Sequence, residues 1–228
     1  MFSNKLIQAS VAITIFSALT ACNSGGGDTA GGALDVTSSG TITGFGSVFV
    51  NGVRYETENA RIISADDDSV ILENPTNAQL QAVLGVGQII TVRGSRTDDS
   101  NGVANTIRFD DELVGEITTV STADGTFTVL GQTVSVTPDT IIDDSIIEAA
   151  RGGAEVPDDL RFGDISPETL DDLFSANTGM FVSVSGFPSQ NGLEATRIED
   201  VSNLVGVGGG LEAEVKGFVA KLDENPGE

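Results

Sequence analysis

Apolar and polar residues alternate along this chain in short runs. Ile42 to Val53 and Gly115 to Val136 each hold two such runs, with Phe127, Val129, Val134 and Val136 in step in the second. Alternation with a period of two predicts half-buried β-strands. The runs are split by Asn51-Gly52 in the first stretch and by Leu130-Gly131 in the second. Asn-Gly between β-forming segments predicts a tight hairpin. A third strand is expected at Ile89 to Val92 and at Phe181 to Val184, between glycines that permit a bend or bulge. A fourth follows at Val103 to Phe109 and at Leu193 to Ile198, each reached through another Asn-Gly pair. Between the second and third strands each half carries a helical segment, residues 75–84 and 167–174. In the latter, Ser166 is the expected N-cap and Pro167 the first helical residue. Leu170, Leu173 and Phe174 fall on one face of it.

The two halves repeat one plan. Gly40-Thr41-Ile42-Thr43 returns as Gly115-Glu116-Ile117-Thr118, and Phe49-Val50-Asn51-Gly52 as Thr128-Val129-Leu130-Gly131. The glycines of Gly87–Gly94 and of Gly179–Gly186 are seven apart in both copies, and Pro75 and Pro167 each stand twelve residues ahead of them. Asn101-Gly102 and Asn191-Gly192 close the series in the same order. Period is the first thing to read in such a chain, because each copy is one folding unit.

Short strands, glycine bends and one helix per unit predict an all-β chain of two tandem small OB-like β-barrels, each with a helix plugging one end; a β-sandwich is the alternative. The first repeat spans 40–112 and the second 113–202. Within the second, Ile141 to Asp164 is an acid- and glycine-rich insert, expected to be a surface loop. Residues 203–228 form a linker and the opening of a third unit, Glu214 to Leu222. One strand cannot bury a core, so this segment pairs with an earlier unit's edge or belongs to a shortened form of a longer repeat protein, which is the expectation.

The run Gly-x-Ile-Thr, then Phe49-Val50-Asn51-Gly52-Val53-Arg54-Tyr55, then Gly87 to Gly94 with its apolar alternation, resembles a family of bacterial envelope proteins known as domain of unknown function 5666. The resemblance covers roughly residues 38 to 200 in two copies. It implies a fold built on structural glycines, and proteins that commonly look like lipoproteins with tandem domains. It implies no catalytic residues.

The N-terminus gives the address. Met1 to Lys5 carry one positive charge, and Leu6 to Leu19 are mostly apolar and uncharged, too short and interrupted to span a membrane stably. The segment ends in Leu19-Thr20-Ala21-Cys22, which resembles the lipobox of bacterial lipoproteins. That resemblance implies cleavage after residue 21 and lipidation (palmitate among the acyl groups) of Cys22, the chain's one cysteine. Small residues give a peptidase access, and the thiol is the nucleophile that takes the lipid. Several acyl chains at one site suffice for stable anchoring. Asn23 in place of an acid resembles lipoproteins sent to the outer membrane of a two-membrane envelope. Residues 22–39, rich in glycine and serine, are then expected to be a flexible tether.

Charge narrows the partners. The chain carries a net charge of −23, and removal of residues 1–21 takes away only Lys5. A surface this acidic repels phosphate backbones, so nucleic acid is not an expected partner. Histidine is absent, which removes the commonest general base and metal ligand. Acids cluster in pairs and triplets; Asp66, Asp67 and Asp68 with Asp98 and Asp99 are the candidate calcium ligands, since both groups sit on loops. No other cofactor is expected. Arg54, Arg61, Arg93, Arg96 and Arg108 concentrate positive charge in the first unit, as an anion-binding face or as partners for the surplus acids.

The expected function is that of a membrane-anchored envelope lipoprotein, not an enzyme, whose β-repeats bind or scaffold an envelope or extracellular partner. Two other classes stay open: a calcium-dependent adhesion or matrix protein, and a carboxylate-dependent enzyme acting on extracellular polysaccharide.

Overall fold

The computed structural model describes residues 34–65, 67–109, 111–174, 179–204 and 214–215. The signal segment, Cys22 and Asp66 lie outside the described residues.

In the first repeat β1 (Leu34–Gly44), β2 (Val48–Val50) and β3 (Val53–Glu56) form an antiparallel meander. At the β2–β3 turn Asn51 has φ 52° and Gly52 φ 76°, the two left-handed residues that a two-residue hairpin matched to strand twist requires. The alternation turns Ile42, Val48, Val50, Val53 and Tyr55 into the core. A hairpin of β4 (Arg61–Ser64) and β5 (Val70–Glu73) leads to the short helix α1 (Asn77–Gln81). Thr76 caps it: its hydroxyl accepts from the Gln79 N–H at 3.3 Å, and the Gln79 side chain accepts from the Thr76 N–H at 2.9 Å. That reciprocal pair satisfies donors a helix start leaves open. Leu80 and Leu84 pack from this segment into the same core as Tyr55, Ile62, Ile90 and Ile107. The antiparallel pair β6 (Ile89–Arg96) and β7 (Asn101–Phe109) completes the unit.

The strand order is β3-β2-β1-β6-β7, and a parallel pairing of β3 with β7 closes the ring. Farther along, β7 also carries β4, in parallel register from Thr106 to Phe109, with β5 outside it. The second repeat follows the same plan with β8 (Leu113–Ser121), β9 (Thr126–Val129), β10 (Gln132–Ser135), β11 (Ile141–Ile142), β12 (Leu160–Arg161), β13 (Phe181–Ser189) and β14 (Gly192–Asp200). Its order is β10-β9-β8-β13-β14-β11-β12, closed by β10 against β14. Two closed five-stranded barrels in tandem, each with an extra hairpin, replace the sandwich alternative.

Three expectations are corrected in detail. The insert 141–164 is not a loop: β11 pairs with β14, α2 (Asp144–Ala150) follows, and Ile141, Ile142, Ile146 and Ile147 are all buried. Strand β1 begins at Leu34, inside the expected tether, because residues 34–41 pair continuously with β6. Helix α3 (Leu170–Phe174) starts after Thr169, not at Pro167. Thr169 and Asp172 exchange hydrogen bonds, the Thr169 N–H donating to Asp172 at 2.8 Å and the Asp172 N–H to the Thr169 hydroxyl at 3.4 Å. Of the segment 203–228 the described part beyond residue 204 is β15 (Glu214–Val215), which pairs antiparallel with Val114 and Leu113.

Both barrels slip register at the same place. The shift falls between Arg93 and Gly94 on β6 and between Ser185 and Gly186 on β13. A Cβ on Gly94 would lie 2.0 Å from the Val103 carbonyl oxygen, and one on Gly186 2.4 Å from that of Glu194. Only a residue without a side chain fits this bulge. Gly94→Ala and Gly186→Ala are each expected to cost roughly 1–3 kcal/mol, an overpacking loss. Gly44→Ala, whose added carbon would come no nearer than 4.0 Å to its neighbours, is the matched control and should shift the melting midpoint little.

Candidate functional site

The registers make Arg197 on β14 the counterpart of Thr106 on β7, since Ser185 faces Arg197 as Arg93 faces Thr106. The substitution changes what this face does. The Arg197 side chain is 11% exposed. Its Nη1 donates to Asp159 Oδ1 at 2.6 Å and to the Val86 carbonyl oxygen of the first repeat at 2.9 Å. Its Nε donates to Glu199 Oε1 at 2.5 Å. Burial works against the charge, but Glu199 and then Asp159 outweigh it and hold the guanidinium pKa above its ordinary value. The first repeat receives this side chain on glycine: a Cβ on Gly85 would lie 2.4 Å from the Arg197 guanidinium carbon, and one on Gly87 2.6 Å from the Thr196 carbonyl oxygen.

Beside this junction lies a cleft of about 390 Å³, lined by Phe45, Leu84, Asp144, Asp158, Arg197 and Glu199 among others. It is the meeting place of the two repeats, and its carboxylates outnumber its one guanidinium. Among the described residues no three acidic, cysteine or histidine groups converge as metal ligands.

Four of the five candidate calcium ligands, Asp67, Asp68, Asp98 and Asp99, lie among the described residues. Asp67 Oδ1 accepts from the Ser69 N–H at 2.9 Å, closing its own turn, and Asp68 is ion-paired with Arg108 near the end of β7. Asp98 lies before the start of β7 and accepts from the Ser100 and Asn101 N–H groups, both at 2.8 Å, and from the Asn101 amide at 3.0 Å. The Ser100 bond, then the Asn101 side chain, hold its carboxyl below the ordinary range. Asp99 contributes its backbone carbonyl to Arg96. From Asn101 to Arg108 an extended strand covers about 23 Å, so Asp67 and Asp68 stand at one end of it and Asp98 and Asp99 at the other.

The first-unit arginines divide. Arg54 pairs with Glu56, Arg61 with Glu73 at 3.4 Å, and Arg108 with Asp68. Arg96 is bound to the Asp99 backbone. Arg93 is exposed. The sequence pattern points to these five and not to Arg197, which joins groups 38 and 111 residues distant. The repeat alignment could have flagged it, as a guanidinium where the other copy has a threonine.

A second ion pair ties the insert to the region of α3: Arg151 Nη2 lies 2.8 Å from Glu168 Oε2, and its Nε donates to Oε1 at 3.0 Å.

Arg197→Met would sever all three links and leave two carboxylates without their cation, an expected loss of about 3 kcal/mol. Calorimetry should then resolve separate unfolding of the two barrels. The Arg151 bond holds the Glu168 pKa below its unfolded value. Its stabilisation is therefore complete above the ordinary carboxylate range and is lost as pH falls through the lowered folded pKa. In Glu168→Gln that part of the acid transition should vanish, leaving a shallower dependence of the midpoint on pH at the acid end.

No match to the chain is found among curated proteins or solved structures. The family model described as Domain of unknown function (DUF5666) matches residues 114–199, which run from the start of β8 to the end of β14, and the second barrel is a DUF5666-like domain.

Proposed function

We propose that the chain is a lipid-anchored envelope protein whose tandem barrels form a non-catalytic binding or scaffolding module, with the outer membrane as its address. The observation that carries the non-catalytic half is how the carboxylates are employed. Asp98 closes a turn, Asp143 accepts from the Ser145 N–H at the start of α2, Asp172 bonds Thr169 ahead of α3, and Glu168, Asp159 and Glu199 serve arginines. A carboxylic acid that donates a proton in catalysis needs a raised pKa. The shifts at Asp98, Glu168 and Asp172 run the other way, each lowered by hydrogen bonds to the charged form. These acids build the fold.

The anchor rests on Leu19-Thr20-Ala21-Cys22 following an uncharged apolar run. In a two-membrane bacterium fed labelled palmitate, the full-length protein should take up label and fractionate with the outer membrane. Cys22→Ser should abolish the label and release the protein from the membrane fraction. Label retained by the variant would sink the anchor, and fractionation with the inner membrane would sink the address.

A further inference from the structure

The opening strands of the two barrels, β1 and β8, each have a stretch of edge that the neighbouring hairpin does not reach. In β1 the Ile42 N–H donates to the Gln88 carbonyl oxygen at 2.9 Å, and the Ile42 carbonyl accepts from the Gly87 N–H at 2.8 Å, so Ile42 faces β6. Backbone groups alternate sides along a strand. Gly40, Ser38, Val36 and Leu34 therefore face β6 as well, while Ser39, Thr37 and Asp35 turn their N–H and C=O groups to the opposite edge. There the Asn51 amide takes the Ser39 carbonyl at 2.8 Å. Pairing with β2 is confined to Ile42 and Gly44, so among the described residues no strand lies beside Asp35 and Thr37. Leu34, on the same face of β1 as the half-buried Val36, is 71% exposed.

The second barrel shows what such an edge accepts. Gly115 repeats Gly40, so Val114 and Leu113 repeat Ser39 and Ser38. Against them lies β15, antiparallel, with Glu214 opposite Val114 and Val215 opposite Leu113. The sequence reads Glu214 to Leu222 as the opening of a repeat, so this contact sets one opening strand against another. We propose that β1 of a second copy of this chain occupies the open edge of β1, antiparallel and two-fold about Val36, with Asp35 of each copy opposite Thr37 of the other. This register stops short of Ser39 and leaves the Asn51 bond in place. Each Asp35–Thr37 pair exchanges both of its backbone hydrogen bonds. Leu34 and Val36 of the two copies adjoin across the seam on one face. The two Asp35 residues are offset along it by roughly 8 Å, about the screening length of physiological salt. The contact is isologous, so it closes as a dimer and covers the edge in both copies. The inference deepens the scaffolding role proposed above by naming a partner. The seam is short, and copies anchored on one membrane would meet at raised effective concentration.

The chain has one cysteine, so the full chain carrying Cys22→Ser and a single new thiol reads the register by disulfide formation in copper-catalysed air oxidation. Val36→Cys is expected to cross-link to itself, because residues facing each other in a non-hydrogen-bonded pair have Cα atoms about 4.5 Å apart, within disulfide reach. Asp35→Cys and Thr37→Cys should each stay uncross-linked alone and cross-link when mixed. Ala123→Cys, exposed on the β8–β9 turn, sets the background of random encounter, which Val36→Cys should exceed at least about tenfold. Thr37→Pro removes an N–H that faces the seam and none that serves β6. The barrel should melt as before, while the Val36→Cys cross-link falls by about tenfold or more. Melting midpoints of every variant separate a lost seam from lost folding. A Val36→Cys yield no higher than that of Ala123→Cys, an Asp35→Cys chain that prefers itself to Thr37→Cys, or a seam that survives Thr37→Pro would each overturn the proposal. The soluble chain needs no anchor, so failure here leaves the palmitate result at Cys22 untouched, and an unlabelled Cys22 leaves the cross-link standing.

Discussion

Ring closure rests on one strand serving two neighbours along a single edge. In the first barrel β7 gives its opening residues, Asn101 to Val103, to β3 and its closing residues, Thr106 to Phe109, to β4. Its other edge is paired with β6 throughout, apart from the slip at Gly94. A straight strand cannot turn from one neighbour to the next while holding a third in register. The bulge supplies the bend, and glycine supplies the bulge, because the facing carbonyl comes within 2.0 Å of where a Cβ would sit. The second barrel has the same slip, the same glycine and the same change of neighbour on β14. Everything else, from the buried valines of the meander to the helix that packs into the core, follows once the ring is closed.

This explains why the architecture was legible in the sequence. The signals that fix it are local or periodic: glycines seven apart, a proline twelve residues ahead, Asn-Gly at the turn, and apolar residues at every second position. Each is visible without knowing what lies across the core. The parts that were not legible depend on partners distant in the chain. Ile141 and Ile142 form a strand only because β14 is there to pair with them, and a two-residue run amid acids carries no period of its own. At α3, a serine followed by a proline has the chemistry of a helix start, yet Thr169 and Asp172 satisfy each other at the true one. The competition was between two sound local signals, and geometry three residues on decided it.

The candidate site was the least legible. Of the acids expected as ligands, Asp67, Asp68 and Asp98 are spent close to home, on two turns and an arginine. The side chain that joins the repeats was hidden because its meaning lies in the difference between copies: threonine in one, arginine in the other. An arginine that bonds an acid on the insert, an acid two residues away and a carbonyl of the other repeat cannot be read from any window of sequence.

Divergence between the copies has the same logic at the strand edges. In the first repeat the Asn51 side chain, held at the left-handed turn, donates to the Ser39 carbonyl at 2.8 Å and so covers part of the exposed edge of β1. The second repeat has Leu130 at that turn, also left-handed, and leucine offers no donor. There the edge of β8 is covered by backbone instead, through β15 at Leu113 and Val114. An open strand edge invites pairing, so each copy needs some means of covering it. One copy does so with the side-chain amide of Asn51, the other with the two-residue strand Glu214–Val215. A fold that repeats its topology so closely is thus free to differ wherever an edge or outer face must be covered or left open. Those places, not the cores, decide what each barrel can touch.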